Sequence, residues 1–287
     1  MILVTGATGN LGLNVIDQLL KVTTPDKFIA LARNDDKASS LKNKGVTVRI
    51  GNFDEPTSLE TAFVGVEKLL LISTMEQNRY QQHQNVVDAA LKAGVQHIVY
   101  TGLAIQDIQT SHVKDLMMSH FQTENYIKEK GLNYTFLRNT MYADAIPLIT
   151  GKEVTKRGIF LTGGNGRVPY ALRREMGEAT ANLLLQNGHE NKIYDITGSN
   201  FYSYQDIVNE LTDITGIKVP YIDADATSFY HVLKEDGVPD FPLYLLSGTV
   251  ADIKNHQYEL ESDIMETLLG RSTAPLSEML KEVYPLY

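Results

Sequence analysis

Twelve residues at the start of the chain, Met1-Ile-Leu-Val-Thr-Gly-Ala-Thr-Gly-Asn-Leu-Gly12, limit what it can fold into more than any other feature. A short apolar run feeds a turn carrying Gly6, Gly9 and Gly12. A segment with Leu11, Val15, Ile16, Leu19 and Leu20 on one helical face follows at once. Strand, glycine turn and helix in that order build a phosphate site. Backbone N–H groups of the turn and the positive end of the helix dipole meet the pyrophosphate of a dinucleotide. The spacing is Gly-x-x-Gly-x-x-Gly and not the general Gly-x-Gly-x-x-Gly. Its strand–turn–helix context is what predicts dinucleotide binding.

The rest of the first half keeps this rhythm. Strands are predicted over 2–5, 28–32, 46–50, 68–73, 97–101 and 134–137, with helices over 11–20, 36–44, 59–63, 81–93 and 114–130. Near-continuous apolar strands alternating with helices specify a parallel sheet covered on both faces. Right-handed crossovers make it an α/β, Rossmann-type doubly wound sheet. We expect residues 1–145 to form this dinucleotide-binding unit, with 175–197 extending the sheet. Residues 146–174 and 198–287 are expected to form a smaller C-terminal α/β substrate lobe over the carboxyl ends of the strands.

Composition removes several function classes. A net charge of −9 opposes a nucleic-acid surface, and the absence of cysteine excludes disulfides, thiolate nucleophiles and Cys-ligated zinc. The seven histidines show no metal-ligand spacing, so no metal site is expected. Neither Ser73 nor Ser247 has the Gly-x-Ser-x-Gly context of a hydrolase. No run approaches membrane-spanning length and the first strand starts at Ile2, so the expectation is a soluble, cytoplasmic protein. The polar stretch Asn78–Asn85 reads as a solvated helix start, with a place overhanging the cofactor cleft as the alternative. The tyrosines between Tyr194 and Tyr230 read either as core or as a flat pocket for a ring substrate.

The end of the second strand selects the dinucleotide. An NAD site places Asp or Glu there for the ribose 2′-hydroxyl. This chain has Arg33, a planar cation suited to a 2′-phosphate and to stacking on adenine, which points to NADP(H) over NAD(H). Asp35 and Asp36 read as caps of the helix that follows.

Gly6-Ala-Thr-Gly-Asn-Leu-Gly12, Ala32-Arg-Asn34, Gly51-Asn-Phe-Asp54, the stretch from Ala93 to Gly102, and Tyr134-Thr-Phe-Leu-Arg-Asn139 followed by Tyr142 resemble the atypical short-chain dehydrogenase/reductase group. Within it the chain is similar, nearly end to end, to the NmrA-like branch that contains NAD(P)H:quinone oxidoreductases and triphenylmethane-dye reductases. The resemblance implies that Gly6, Thr8, Gly9, Asn10 and Leu11 line the pyrophosphate and that Arg33 faces the adenosine phosphate. It places Asn52 and Phe53 beside adenine, and Ser73, Thr74 and Met75 along the nicotinamide ribose. Asn139 and Tyr142 would border nicotinamide and substrate.

One family feature is missing. Short-chain dehydrogenases carry Tyr-x-x-x-Lys on the helix after the fifth strand, where the lysine lowers the tyrosine pKa for proton exchange with a carbonyl. Aligning the Glu that often follows with Glu124 puts His120 in the lysine slot and Leu116 in the tyrosine slot. Tyr126/Lys130 and Tyr230/Lys234 match the spacing but sit at a helix end and in the C-terminal lobe, and are read as decoys. Reduction of a ketone needs a strong local acid. Reduction of a quinone or a cationic dye does not, so positioning supplies most of the catalysis. The expected activity is hydride transfer from NADPH to a quinone-like or conjugated aromatic acceptor, with Tyr142 and His120 as candidate proton or hydrogen-bond donors. The expected partner is that small acceptor, and a homodimer is left open. Two alternatives remain: a non-catalytic NADP(H)-binding redox sensor and, disfavoured by Leu116 and His120, a sugar-nucleotide epimerase.

Overall fold

The computed structural model describes residues 1–284. Its first half runs β1 (Ile2–Val4), α1 (Asn10–Val22), β2 (Phe28–Ala32), α2 (Asp35–Asn43), β3 (Thr47–Ile50), α3 (Pro56–Ala62), β4 (Lys68–Leu71), α4 (Arg79–Lys92), β5 (His97–Leu103), α5 (Lys114–Glu129) and β6 (Asn133–Asn139). The second half continues with α6 (Ile146–Thr150), α7 (Val154–Arg157), β7 (Ile159–Leu161), β8 (Arg167–Val168), α8 (Arg173–Leu184) and β9 (Lys192–Ile196). It ends with β10 (Tyr202–Ser203), α9 (Tyr204–Thr215), β11 (Tyr221–Asp223), α10 (Ala226–Glu235), α11 (Asp240–Lys254), α12 (Ile264–Leu269) and α13 (Leu276–Val283).

Seven strands form one parallel sheet in the order β3-β2-β1-β4-β5-β6-β9, the Rossmann-type arrangement expected from the alternating pattern. Consecutive residues of each strand point to opposite faces, so adjacent apolar residues serve different layers. Val4, Ala30 and Leu70 pack beneath α1 and α8, whereas Leu3, Ile29 and Leu69 pack beneath α3, α4 and α5. That division explains why these strands read as unbroken apolar runs. The direction of travel across the sheet reverses between β1 and β4, and the crevice at such a switch point is where open α/β sheets bind ligands.

The second half contributes β9 to the sheet and a separate core containing Leu161, Tyr170, Tyr204, Leu211, Phe229 and Leu280. Two small sheets, β10–β8 and β11–β7, belong to this half. Met265 and Leu268 of α12 instead join the layer of α1 and α8. Buried Asp252 of α11 ties this half to the loop before α5, accepting from Ser111 Oγ at 2.5 Å and from the His112 backbone N–H at 2.7 Å. No helix among the described residues is long and apolar enough to cross a membrane.

Candidate dinucleotide and acceptor site

Because every strand of the large sheet is parallel, the residues that follow the strands share one edge. In register, Val4 pairs with Ala30 and Leu70, Ala32 with Ile50, Leu71 with Tyr100, and Asn139 with Leu103 and Ile196. The glycine turn, Arg33, Asn52 and Phe53, Ser73 to Met75, and Asn139 with Tyr142 therefore line up along it. Two buried threonines lock this edge. Thr5 Oγ1 accepts from Ile72 N at 3.0 Å, and Thr101 Oγ1 accepts from Ser73 N at 3.0 Å.

The glycine turn has the shape a pyrophosphate requires. Gly6 is left-handed at φ +58°, and Gly9 N donates back to Gly6 O at 2.9 Å. A Cβ on Gly12 would lie 2.1 Å from Gly6 O, so only glycine lets the helix start this close to the strand end. Gly9 caps α1 with no side-chain bond. The first N–H groups of α1, which no helix satisfies internally, remain free for an anion. Thr8 is half-buried and Asn10 exposed, while the Leu11 side chain belongs to the core, so only its backbone can serve the site.

Arg33 is exposed at the end of β2 and has no acidic partner among the described residues. The cap of α2 is Asn34, whose Oδ1 accepts from Lys37 N at 3.1 Å; Asp35 pairs with Lys42, so the expected capping role of the two aspartates falls to their neighbour. Asn52 is folded into its own turn, its N–H on Ser58 Oγ and its Nδ2 on Glu55. Phe53 packs half-buried on the α3/α4 side. Thr74 Oγ1 donates to Gln82 Oε1 at 3.0 Å, and Met75 stands 54% exposed at the mouth of the cleft.

Asn139 is buried, and its Oδ1 has no partner among the described residues, an idle acceptor at the edge where a ligand would lie. Its Nδ2 donates to Tyr142 Oη at 3.4 Å. The Arg173 guanidinium covers the Tyr142 ring at 4.5 Å, and burial raises the phenol pKa against the opposing effect of the Asn139 contact.

His120 occupies a different environment from the one its slot suggests. It is 6% exposed, with Nδ1 on Tyr100 Oη at 2.9 Å and Nε2 on Arg79 Nη1. Burial and then the Arg79 charge hold its pKa well below the ordinary histidine range, so the ring is neutral and has no free nitrogen to present. The decoy reading of the two spaced pairs agrees with their surroundings. Tyr126 and Lys130 both bind Asp88 at the far end of α5, and Tyr230 is exposed on α10. Of the tyrosines between Tyr194 and Tyr230, Tyr202, Tyr204 and Tyr221 join the core of the second half with Tyr170 and Tyr258, whereas Tyr194 of β9 binds His189 and Tyr230 is exposed.

The polar stretch at the start of α4 is solvated on one face only, at Asn78 and Gln81. Arg79, Gln82 and His83 are buried, and Gln82 Nε2 and Asn78 Nδ2 fasten Asp54 at 3.0 and 2.9 Å. Charge and amide content conceal this in the sequence. The spacing Arg79, His83, Val86, Val87, Ala90 repeats every three or four residues and marks one buried face.

Comparison with known proteins agrees with the fold and with NADP(H) as the cofactor. Residues 1–247 match the model of the NmrA-like family. Quinone oxidoreductase 2 of Escherichia coli is 33% identical over 286 residues, 99% of either chain. The crystal structure of an NADPH-dependent quinone oxidoreductase from Escherichia coli in complex with NADPH superposes with a TM-score of 0.93 at 33% identity, covering 99% of each chain. A triphenylmethane reductase of Citrobacter sp. in complex with NADP(H) gives 0.91 at 36% identity, covering 99% of this chain and 100% of that one.

Proposed function

The chain belongs to the NmrA-like family, and from that premise we propose that it is an NADPH-dependent oxidoreductase that reduces a quinone-like or conjugated aromatic acceptor. The carrying observation is the uncapped start of α1 behind Gly6 and Gly12, together with an Arg33 that no acidic residue among the described residues neutralises. The first N–H groups of α1 would hold the pyrophosphate, and Arg33 the 2′-phosphate. Asn52 and Phe53 would border adenine, and Ser73, Thr74 and Met75 the nicotinamide ribose. NADPH, when bound, supplies the hydride. The idle Asn139 Oδ1 would take an amide N–H, and Tyr142, protonated at neutral pH, would offer its O–H to the acceptor. His120 acts at a distance here, fixing Tyr100 and Arg79.

The test is NADPH oxidation with and without a small quinone, on wild type and Arg33→Ala. Turnover that requires the quinone, with a higher NADPH requirement in the variant, is expected. Tight NADPH binding with no turnover on any acceptor would replace this reading with an NADP(H) sensor, which the sealed His120 also suits.

A further inference from the structure

Arg79 opens α4 and is 1% exposed. Its Nη1 lies on His120 Nε2, while Nε and Nη2 have no acceptor among the described residues. A guanidinium can only donate. His120 Nε2 is therefore the acceptor, and its ring proton sits on Nδ1, which donates to Tyr100 Oη. Thr123 Oγ1 donates to Ser119 O at 2.8 Å, so it accepts from His83 Nδ1 at 2.9 Å, and His83 Nε2 is left bare. Burial, reinforced by Arg79, pushes the His83 pKa down to about 3, so this ring is neutral as well. The buried carboxylate of α5, Glu124, is engaged by Arg138 at 2.9 and 2.6 Å. Arg79 is thus a buried positive charge with no carboxylate partner among the described residues, an arrangement that costs stability.

Its place in the fold gives it a direction. Helical side chains lean toward the helix N-terminus, which for Arg79 is the loop of Ser73, Thr74 and Met75. Gln82, one turn further on, bonds Thr74, and Thr101, the residue after Tyr100, bonds Ser73. The charge lies against His120, whose ring bonds Tyr100, and Tyr100 pairs in register with Leu71, two residues before Ser73, which puts the cation at the site's end of the sheet.

We infer that Arg79 is a fixed cation that makes this site prefer acceptors which gain negative charge on reduction, neutral quinones over cationic dyes; this rests on the oxidoreductase reading above. A neutral quinone receives a hydride as the C–H bond of the reduced nicotinamide breaks and an O–H bond forms. It ends as a hydroquinone monoanion and takes its second proton from water. A cationic triarylmethane dye receives the same hydride on its central carbon and ends neutral. Only the first product is stabilised by Arg79, and the second substrate is repelled by it. At an effective dielectric of about 20, a fixed unit charge on the order of 10 Å from the reacting atoms would change a rate constant by about ten-fold.

The experiment compares wild type, Arg79→Met and Arg79→Lys with NADPH and either a neutral quinone or a cationic triarylmethane dye. The ratio of kcat/KM for quinone over dye is expected to fall about ten-fold in Arg79→Met and to be retained in Arg79→Lys. A structural defect would lower both activities together, and an unchanged ratio overturns the inference. A second readout needs no turnover: binding of a nitrophenolate and of its uncharged methyl ether to the NADPH-loaded protein. Arg79→Met should lose about ten-fold in affinity for the phenolate alone, and equal losses overturn the role. If neither acceptor turns over, the oxidoreductase reading fails and the phenolate comparison decides the Arg79 inference by itself. Should Arg79→Met not fold, a wild-type protein that binds phenolate and ether equally well overturns it.

Discussion

Two positive features border the same strand ends and are built in opposite ways. At the start of α1 the charge is partial and belongs to the backbone, open to solvent behind Gly6 and Gly12. At the start of α4 the charge is a whole guanidinium, sealed among His83, Tyr100 and His120. Backbone donors never titrate and need no supporting cast, only room for close approach. A sealed side-chain cation forces its neighbours into single tautomers and holds them neutral. The first device therefore depends on space, and the second on protonation.

The sharpest break of that contrast is Gly12→Ala. The new Cβ would meet the Gly6 carbonyl, backbone against backbone, and neither side can retreat without moving β1 or α1. We expect a loss of about 3 kcal/mol, read from the denaturant midpoint, together with loss of NADPH binding. Wild-type stability and affinity in this variant would mean that the turn relaxes and is not a space-limited site.

Acidification tests the second device. His83 titrates near 3 in the fold and near 6.5 when unfolded, so below pH 6.5 the unfolded chain holds the extra proton and stability falls with falling pH. Between pH 6.5 and 5 this amounts to about 2 kcal/mol for His83. His97, pushed down to about 4 chiefly by burial, adds a separate share at the opposite end of β5. His83→Gln should flatten the pH dependence of the melting temperature without abolishing it. His120, held well below the ordinary range by burial and Arg79, adds its own share in the same direction, so an unaltered slope would assign the acid sensitivity to His120 or His97 and not to His83.

Arg33→Ala returns to the open device at smaller scale. Removing one charged donor from an exposed position should raise the NADPH dissociation constant about ten-fold while leaving NADH nearly unchanged. A parallel loss for both cofactors would assign Arg33 to adenine stacking and not to the 2′-phosphate.

The same difference decides what was legible in the sequence. Glycine spacing and apolar strands are local patterns, so the sheet, the turn and the shared edge carrying Arg33, Ser73 and Asn139 follow from them directly. The α4 cluster is a tertiary arrangement of residues from α4, β5 and α5, and the polar character of Asn78–Asn85 argues for solvent. Only the face shared with Val86, Val87 and Ala90 betrays it. The identity of His120 was readable from its slot, but its proton was not, because the Arg79 contact that fixes it spans 41 residues. In the second half, β8 and β10 have two residues each, too few to display a period, and buried Tyr204 is indistinguishable in sequence from a pocket residue.

Tyr142 is the smallest and most discriminating case. Among the described residues its hydroxyl has only the 3.4 Å contact from Asn139, whereas its ring is covered by Arg173. Tyr142→Phe keeps the ring and its cation contact and deletes the proton. A neutral quinone accepts that hydrogen bond at the oxygen that gains charge, so its kcat should fall about three-fold, the value of one ordinary hydrogen bond. A cationic dye ends neutral with no proton needed, and its kcat should not change. Equal losses on both acceptors would make Tyr142 a wall of the site, held by Arg173 for its shape, and would leave the Arg79 charge as the feature that separates the two acceptor classes.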